Sequence, residues 1–275
     1  PVLAEEGQPV DFVRTAKQMT AGWNGEQPQT IQTLPEVITM EDNLKKGDGL
    51  DILPVGLDFH SMLPVIPKME NLPSALLVLG ETRCGKSNYL QILIEHFHNL
   101  GGWEMYAVCL RPSPIRKMTD KLEDLQVYAS EVSFTESLAS LPERLQQPGA
   151  LEKKLLICFD DLGAAFEPGQ IEVDALLDRI GTSLRNREQP DVLLIASGQI
   201  NEFRMKAGTN SLIRIFSQNK AGLCLSQDMQ AWGWMGLTPQ DVRPFGKLAF
   251  PPGRGFYINR GNLNVVQTPQ SQYLT

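Results

Sequence analysis

The chain has 275 residues, 42% of them hydrophobic, and a formal net charge of −7 from 25 Lys and Arg against 32 Asp and Glu. That length and apolar content support one large α/β domain with a small N-terminal attachment, while the acidic balance removes the usual electrostatic argument for a nucleic-acid partner, so none is expected. No apolar run approaches the roughly 20 residues that cross a bilayer, there is no signal-peptide pattern, and a start at Pro1 without Met reads as a piece cut from a longer polypeptide.

Residues 1–45 read as a lead-in or linker packing on the domain. Asp11–Met19 can form a short helix, and Ala21-Gly22-Trp23-Asn24-Gly25, Leu34-Pro35 and Lys45-Lys46-Gly47-Asp48-Gly49 break the chain. Two strands around a turn follow, in Ile52–Asp58 and Pro64–Pro67. The apolar run Ala75–Leu79 then leads into Gly80-Glu81-Thr82-Arg83-Cys84-Gly85-Lys86-Ser87, a GxxxxGKS phosphate loop between a strand and a helix beginning Asn88-Tyr89-Leu90. Gly80 leaves the strand in a tight turn and Gly85 lets backbone amides curl around phosphate oxygens. Lys86 reaches β- and γ-phosphates, Ser87 offers a hydroxyl to Mg²⁺, and the helix start turns free N–H groups to the same anion. Glu81 must point away from the phosphates. Arg83 adds charge compensation or packs on a neighbour. Cys84 sits where amides and Lys86 lower a thiol pKa, whereas Cys109, Cys158 and Cys224 read as buried thiols. With no CxxC pair, and no ligand partner for His60, His96 or His98, a zinc centre is not expected.

Beyond the loop, strands and helices alternate. Residues 86–99 read as helix, Met105–Leu110 as strand, the stretch to about 125 as helix, and Glu136–Gln147 as helix closed by Pro148-Gly149. Leu155–Phe159 reads as strand. Ile171–Arg187 is an amphipathic helix with Ile171, Leu176, Leu177, Ile180 and Leu184 on its apolar face. Val192–Ala196 and Ala221–Leu225 are strands, and Phe256–Gly261 with Asn264–Gln267 makes a hairpin. The fold class is α/β: a P-loop NTPase with a mostly parallel central sheet flanked by helices, RecA/FtsK-like by the resemblance that the segments given below carry. The ATPase domain spans 46–268, and 269–275 is a loose polar tail.

Five apolar residues followed by Asp160-Asp161 supply the acidic partner such a loop needs. Asp160 links to Mg²⁺ through water, and Asp161 stands where an ATPase orients its attacking water, one methylene shorter than the Glu often found there. Lys86, Asp160 and Asp161 are thus the candidate catalytic set. Residues 80–88 and Gln199 are the candidate ATP contacts, with Mg²⁺ at Ser87 and Asp160. Ser197 and Gln199 end the next strand as candidate γ-phosphate sensors. Arg185 and Arg187 end the long helix, where cations suit the helix terminus or act as an intersubunit finger. Met229–Gly236 places Trp232, Trp234 and Met235 in a glycine-punctuated loop, either as a protein-binding surface or as a cover for the sheet edge.

Four segments resemble the FtsK/SpoIIIE-type P-loop ATPases, and more closely the C-terminal ATPase domain of the EssC/EccC motors of type VII secretion. They are Leu53-Pro54-Val55-Gly56-Leu57-Asp58 before Leu63-Pro64-Val65, the loop Leu79–Ser87, the long helix and strand ending at Gln199 (similar to a translocase "ATQ"), and Pro251-Pro252-Gly253-Arg254-Gly255-Phe256-Tyr257 closing at Val266-Gln267. The likeness covers roughly residues 30–268. It implies a cytoplasmic domain of a membrane-anchored bacterial protein, with neighbouring ATPase domains in the same chain. Small helical WXG100-type secreted proteins and other secretion components are the implied partners. Distal domains of the family often have weakened catalytic motifs, whereas this chain retains Lys86, Ser87, Asp160 and Asp161. It departs from the translocase pattern at Asp161 and Ser197-Gly198. The expected function is therefore ATP binding, with hydrolysis open, coupled to secretion. The alternatives are a nucleotide-stabilised docking domain without hydrolysis or a DNA translocase motor.

Overall fold

The computed structural model describes residues 12–22, 34–43, 52–147, 149–185 and 191–273. Trp23–Gly25, the Lys45–Gly49 break, Pro148 and Arg187 therefore lie outside the described residues. The chain divides into two compact units, residues 1–33 and 34–275. In the first, helix α1 spans Phe12–Ala21, with Val13 and Met19 exposed.

The second unit is built on one sheet. Its strands are β1 (Gly56–Asp58), β2 (Pro64–Val65), β3 (Ala75–Leu79), β4 (Trp103–Val108), β5 (Leu125–Tyr128), β6 (Lys154–Phe159), β7 (Val192–Gly198), β8 (Gly222–Cys224), β9 (Arg254–Asn259) and β10 (Asn262–Gln267). Their order is β2-β1-β10-β9-β8-β3-β7-β6-β4-β5. From β8 to β5 every pairing is parallel, and from β2 to β8 every pairing is antiparallel. All five positions of β3 and all seven of β7 are buried, as expected where helices cover both faces of a parallel sheet.

The helices of this unit are α2 (Met40–Asn43), α3 (Lys86–Leu100), α4 (Glu131–Ser137), α5 (Leu141–Gln146), α6 (Ile171–Arg185), α7 (Ile200–Lys206), α8 (Ser211–Asn219), α9 (Met229–Trp234) and α10 (Pro239–Val242). One face of the sheet packs on Leu90, Leu93, Ile94 and Phe97 of α3. The other packs on Val173, Leu177 and Ile180 of α6 with Leu212 and Phe216 of α8. The α6–α8 crossing needs a bare backbone at Gly181, where a Cβ would fall 2.1 Å from the Leu212 nitrogen.

Several sequence expectations change. The helix expected up to 125 is a 3₁₀ segment, Pro114–Asp120, followed by edge strand β5; the two-residue burial alternation of Leu125 and Val127 against Gln126 is too short to stand out. The single helix over Glu136–Gln147 becomes α4 and α5, because Pro142 restarts the helix at its N-terminus. Ile171 is 78% exposed rather than on the apolar face, and Val173 takes that place. The Met229–Gly236 loop is helix α9, capped by the Asp228 carboxylate, which accepts from the Gln230 N–H at 2.8 Å. Residues 34–43, the end of the lead-in expected to pack on the domain, fall within the second unit. The polar tail stays packed through Ser271, whose N–H donates to Asn88 Oδ1 at 2.8 Å.

Candidate nucleotide site

Residues 80–87 leave the C-terminal end of β3, the edge of an open α/β sheet where ligands sit. The Gly80 N–H donates to the Gly198 carbonyl at 3.2 Å, and Gly85 adopts φ 107, the left-handed region that suits glycine. A Cβ on Gly85 would lie 2.9 Å from the Gly253 nitrogen, and that nitrogen donates to the Cys84 carbonyl at 2.8 Å. The loop is thus sewn to the segment entering β9. Helix α3 begins at Lys86 with no side-chain cap, leaving its first N–H groups facing the loop. Lys86 Nζ donates to the carbonyls of Gly80 and Glu81, each at 2.7 Å, an arrangement that holds the ammonium over the loop. Glu81, Thr82 and Arg83 are exposed, with Arg83 at φ 66. The reactive-thiol expectation for Cys84 is corrected: burial pushes this thiol above its ordinary value and outweighs the opposing pull of Lys86.

Strand β7 lies between β3 and β6 and brings the two motifs together. Asp160, 6% exposed, is surrounded by hydroxyl donors. Ser87 Oγ lies 3.0 and 2.9 Å from its two oxygens, Ser113 Oγ donates at 2.6 Å, and Ser197 Oγ donates at 2.8 Å. Three charge-assisted hydrogen bonds keep this carboxylate in place beside the loop hydroxyl. Ser197 also accepts from the Asp161 N–H at 2.9 Å, so one buried hydroxyl serves both acidic residues.

Asp161 has φ 60, which turns its side chain out of line with the strand. Its Oδ2 accepts from Arg111 Nη1 at 2.5 Å. Arg111 also donates through Nε to Glu167 at 3.1 Å, and Glu202 lies 3.8 Å from its Nη1. These carboxylates hold the guanidinium charged, its pKa raised first by the Glu167 hydrogen bond. Arg111 and Ser113, in the loop after β4, and Glu167 and Glu202 were not read from the sequence. The only local signal is Arg111-Pro112-Ser113-Pro114, a stiff strand-end loop.

Gln199 precedes α7, and its N–H donates to Glu202 Oε2 at 3.0 Å. Asn88 lines the cleft, but its amide is taken by the Pro269 carbonyl and the Ser271 N–H, each at 2.8 Å. Arg185 ends α6. Away from this site, Met235 is 1% exposed and part of the core. Trp232 is half-buried, donates from Nε1 to the Ser226 carbonyl at 3.0 Å and packs edge-on against Phe256, while Trp234 packs partly buried against the same core. The three are not brought together as an open surface.

The donor set suits a magnesium nucleotide: an ammonium, free helix N–H groups, and a hydroxyl paired with a carboxylate. Fold and motif together define the class, a P-loop ATPase fold with a mostly parallel sheet between helical layers. Within that class the chain has the fold of the cytoplasmic EccC/EssC ATPase domains of type VII secretion, as its sequence resemblance implied. It is 30% identical over 79 residues, 29% of this chain and 6% of the relative, to the ESX secretion system protein EccC of Thermomonospora curvata. Thermomonospora curvata EccC (ATPases 2 and 3), solved in complex with a signal sequence peptide, matches 94% of this chain and 48% of its own, with a TM-score of 0.69 and 19% identity. EssC (ATPases 2 and 3) from Geobacillus thermodenitrificans matches 94% and 48%, with a TM-score of 0.67 and 17% identity. The chain therefore spans less than half the length of these solved relatives. No family model matches it.

Proposed function

We propose that this chain is an ATP-binding module of a type VII protein secretion motor, coupling nucleotide state to the movement of small helical WXG100-type substrates. The observation that carries the reading is the contact of Ser87 with Asp160 beside the Lys86 ammonium, on residues 73 apart in sequence. In this reading the amides of 81–87 and Lys86 bind the phosphates, Ser87 and Asp160 hold Mg²⁺, and Ser197 keeps Asp160 oriented. A bound Mg²⁺ would supply charge neutralisation at the phosphates, and Ser87 and Asp160 are the residues that would hold it.

A second reading, a nucleotide-stabilised docking domain without turnover, is favoured by one observation. The carboxylate expected to orient water, Asp161, is ion-paired to Arg111. We further propose neighbouring ATPase domains and secreted proteins as partners, in a cytoplasmic domain of a membrane-anchored chain. Among the described residues no helix is long and apolar enough to cross a membrane.

Calorimetric titration with ATP and Mg²⁺, run beside Lys86→Ala, tests the site. Saturable binding that weakens about 10- to 100-fold in the variant is expected, the worth of a charge-assisted hydrogen bond. Equal affinity of the two proteins would refute the reading.

A further inference from the structure

A cleft of about 440 Å³ runs from Lys86 and Ser87 past Pro252 to the segment Leu34–Ile38. Phosphate recognition uses only its loop end. At the far end Val37 is 64% exposed, although its neighbours Leu34 and Ile38 are buried. The segment therefore anchors itself in the core on both sides and holds one aliphatic side chain toward the cleft. Thr268 also lines this space. It is 2% exposed, and its Oγ1 has no hydrogen-bond partner among the described residues. A buried hydroxyl left without a partner costs free energy unless a ligand supplies one.

The segment is held by design of the fold. Arg254, 8% exposed, donates from Nη2 to the carbonyls of Leu34 and Pro35 at 3.1 and 3.2 Å, and its Nε donates to Gln267 at 3.1 Å. The Gln270 N–H donates to the Ile38 carbonyl at 2.8 Å. A buried guanidinium is thus spent on positioning main chain, which fixes Val37 against the proline-rich wall opposite.

We propose that Leu34–Ile38 forms one wall of a nucleoside site. An aromatic heterocycle lies in the cleft with its face on Val37, and a polar edge or ribose hydroxyl meets Thr268 Oγ1. The inference rests on the nucleotide reading of the loop and extends it: the nucleoside, rather than the phosphates, touches the segment by which the chain enters the ATPase fold. Occupancy of the loop by phosphate alone leaves that segment as it is, while a full nucleotide clamps it.

The test uses the whole chain, titrated with Mg²⁺-ATP and with Mg²⁺-tripolyphosphate, which presents phosphates without a nucleoside. Val37→Ser is expected to weaken ATP about tenfold, the scale of one lost apolar contact, and to leave tripolyphosphate affinity unchanged. Thr268→Val, close in shape, is expected to act in the same direction. Unchanged tripolyphosphate binding also reports that each variant is folded. Amide exchange over 34–38 should slow with ATP and not with tripolyphosphate. ATP affinity unaffected in both variants, or wild-type protein binding both ligands equally, overturns this inference and leaves the phosphate loop intact. Wild-type protein binding neither ligand overturns the nucleotide reading itself.

Discussion

Arg111 donates to the Asp161 carboxylate at 2.5 Å while its Nε donates to Glu167 at 3.1 Å, so the carboxylate that the sequence suggests for orienting water already has a fixed cationic partner. A carboxylate oxygen engaged by a guanidinium is not free to hold and orient a water molecule. Arg111→Ala is accordingly expected to raise ATP turnover by about tenfold or more, a modest part of what general bases contribute. ATP affinity should change little, since Arg111 is outside the phosphate loop. Steady-state hydrolysis and calorimetry on the same preparation check this. Unchanged or lower turnover with intact binding would sink the idea that the pair restrains Asp161.

Ser197 is fully buried, donates to Asp160 and accepts from the Asp161 N–H. Ser197→Ala strands that N–H and removes one donor from a buried carboxylate, a loss of about 1–3 kcal/mol. Ser113→Ala should cost less, because Ser113 is half-buried and the Ile115 N–H it caps stands at the start of a short 3₁₀ turn. Urea midpoints of the two variants provide the comparison, and equal losses would contradict it.

Asp160→Asn keeps the shape, exchanges one acceptor oxygen for an NH₂ donor that the serine hydroxyls can turn to accept, and removes the charge beside Ser87. The expected outcome is ATP binding that no longer responds to Mg²⁺, while metal-free binding is retained. Titrations with and without EDTA measure the difference. A persistent Mg²⁺ enhancement would move the metal away from the Ser87–Asp160 pair.

His96 in α3 donates from Nε2 to the Ile52 carbonyl at 2.7 Å, and burial pushes its pKa below the ordinary value despite that bond. The unfolded chain takes up this proton near pH 6.5 while the native chain resists it. Unfolding therefore binds a proton in that range, so the contribution of His96 to stability is complete above about pH 7.5 and falls as pH drops through about 6.5 toward the depressed native value. Unfolding midpoints between about pH 7.5 and 5.5 should show the slope, and His96→Gln should flatten it. A variant with the same slope would assign it elsewhere.

The parts of the site that sequence made legible are the local ones. The phosphate loop occupies consecutive residues between a fully apolar strand and an uncapped helix, and Asp160-Asp161 follow a run with no polar residue, so neighbours in sequence carry the meaning. Arg111 and Ser113 escaped because their contacts to Asp161 and Asp160 exist only once β4 lies beside β6, a pairing across about 50 residues that no local periodicity encodes. The short helices α7 and α8 were left unassigned for a related reason. Asn210 starts α8 by accepting from the Leu212 and Ile213 N–H groups, and its own amide is anchored on Asp174 of α6. The tryptophans of α9 looked like interface residues from composition alone, and Phe256 on β9 supplies the packing that composition could not show.

The bond from Gly253 N–H to the Cys84 carbonyl, with Gly85 pressed against the same backbone, sets a timetable for synthesis. Strand β3 also waits for β8, and β8 for β9. At about 5–20 residues per second, on the order of ten seconds separate the emergence of the loop from that of its backing segment. A nascent chain carries the whole GxxxxGKS sequence through that interval without the wall that shapes it. A chain ended before Pro251 carries the complete motif yet lacks the backbone that Cys84 and Gly85 rest on.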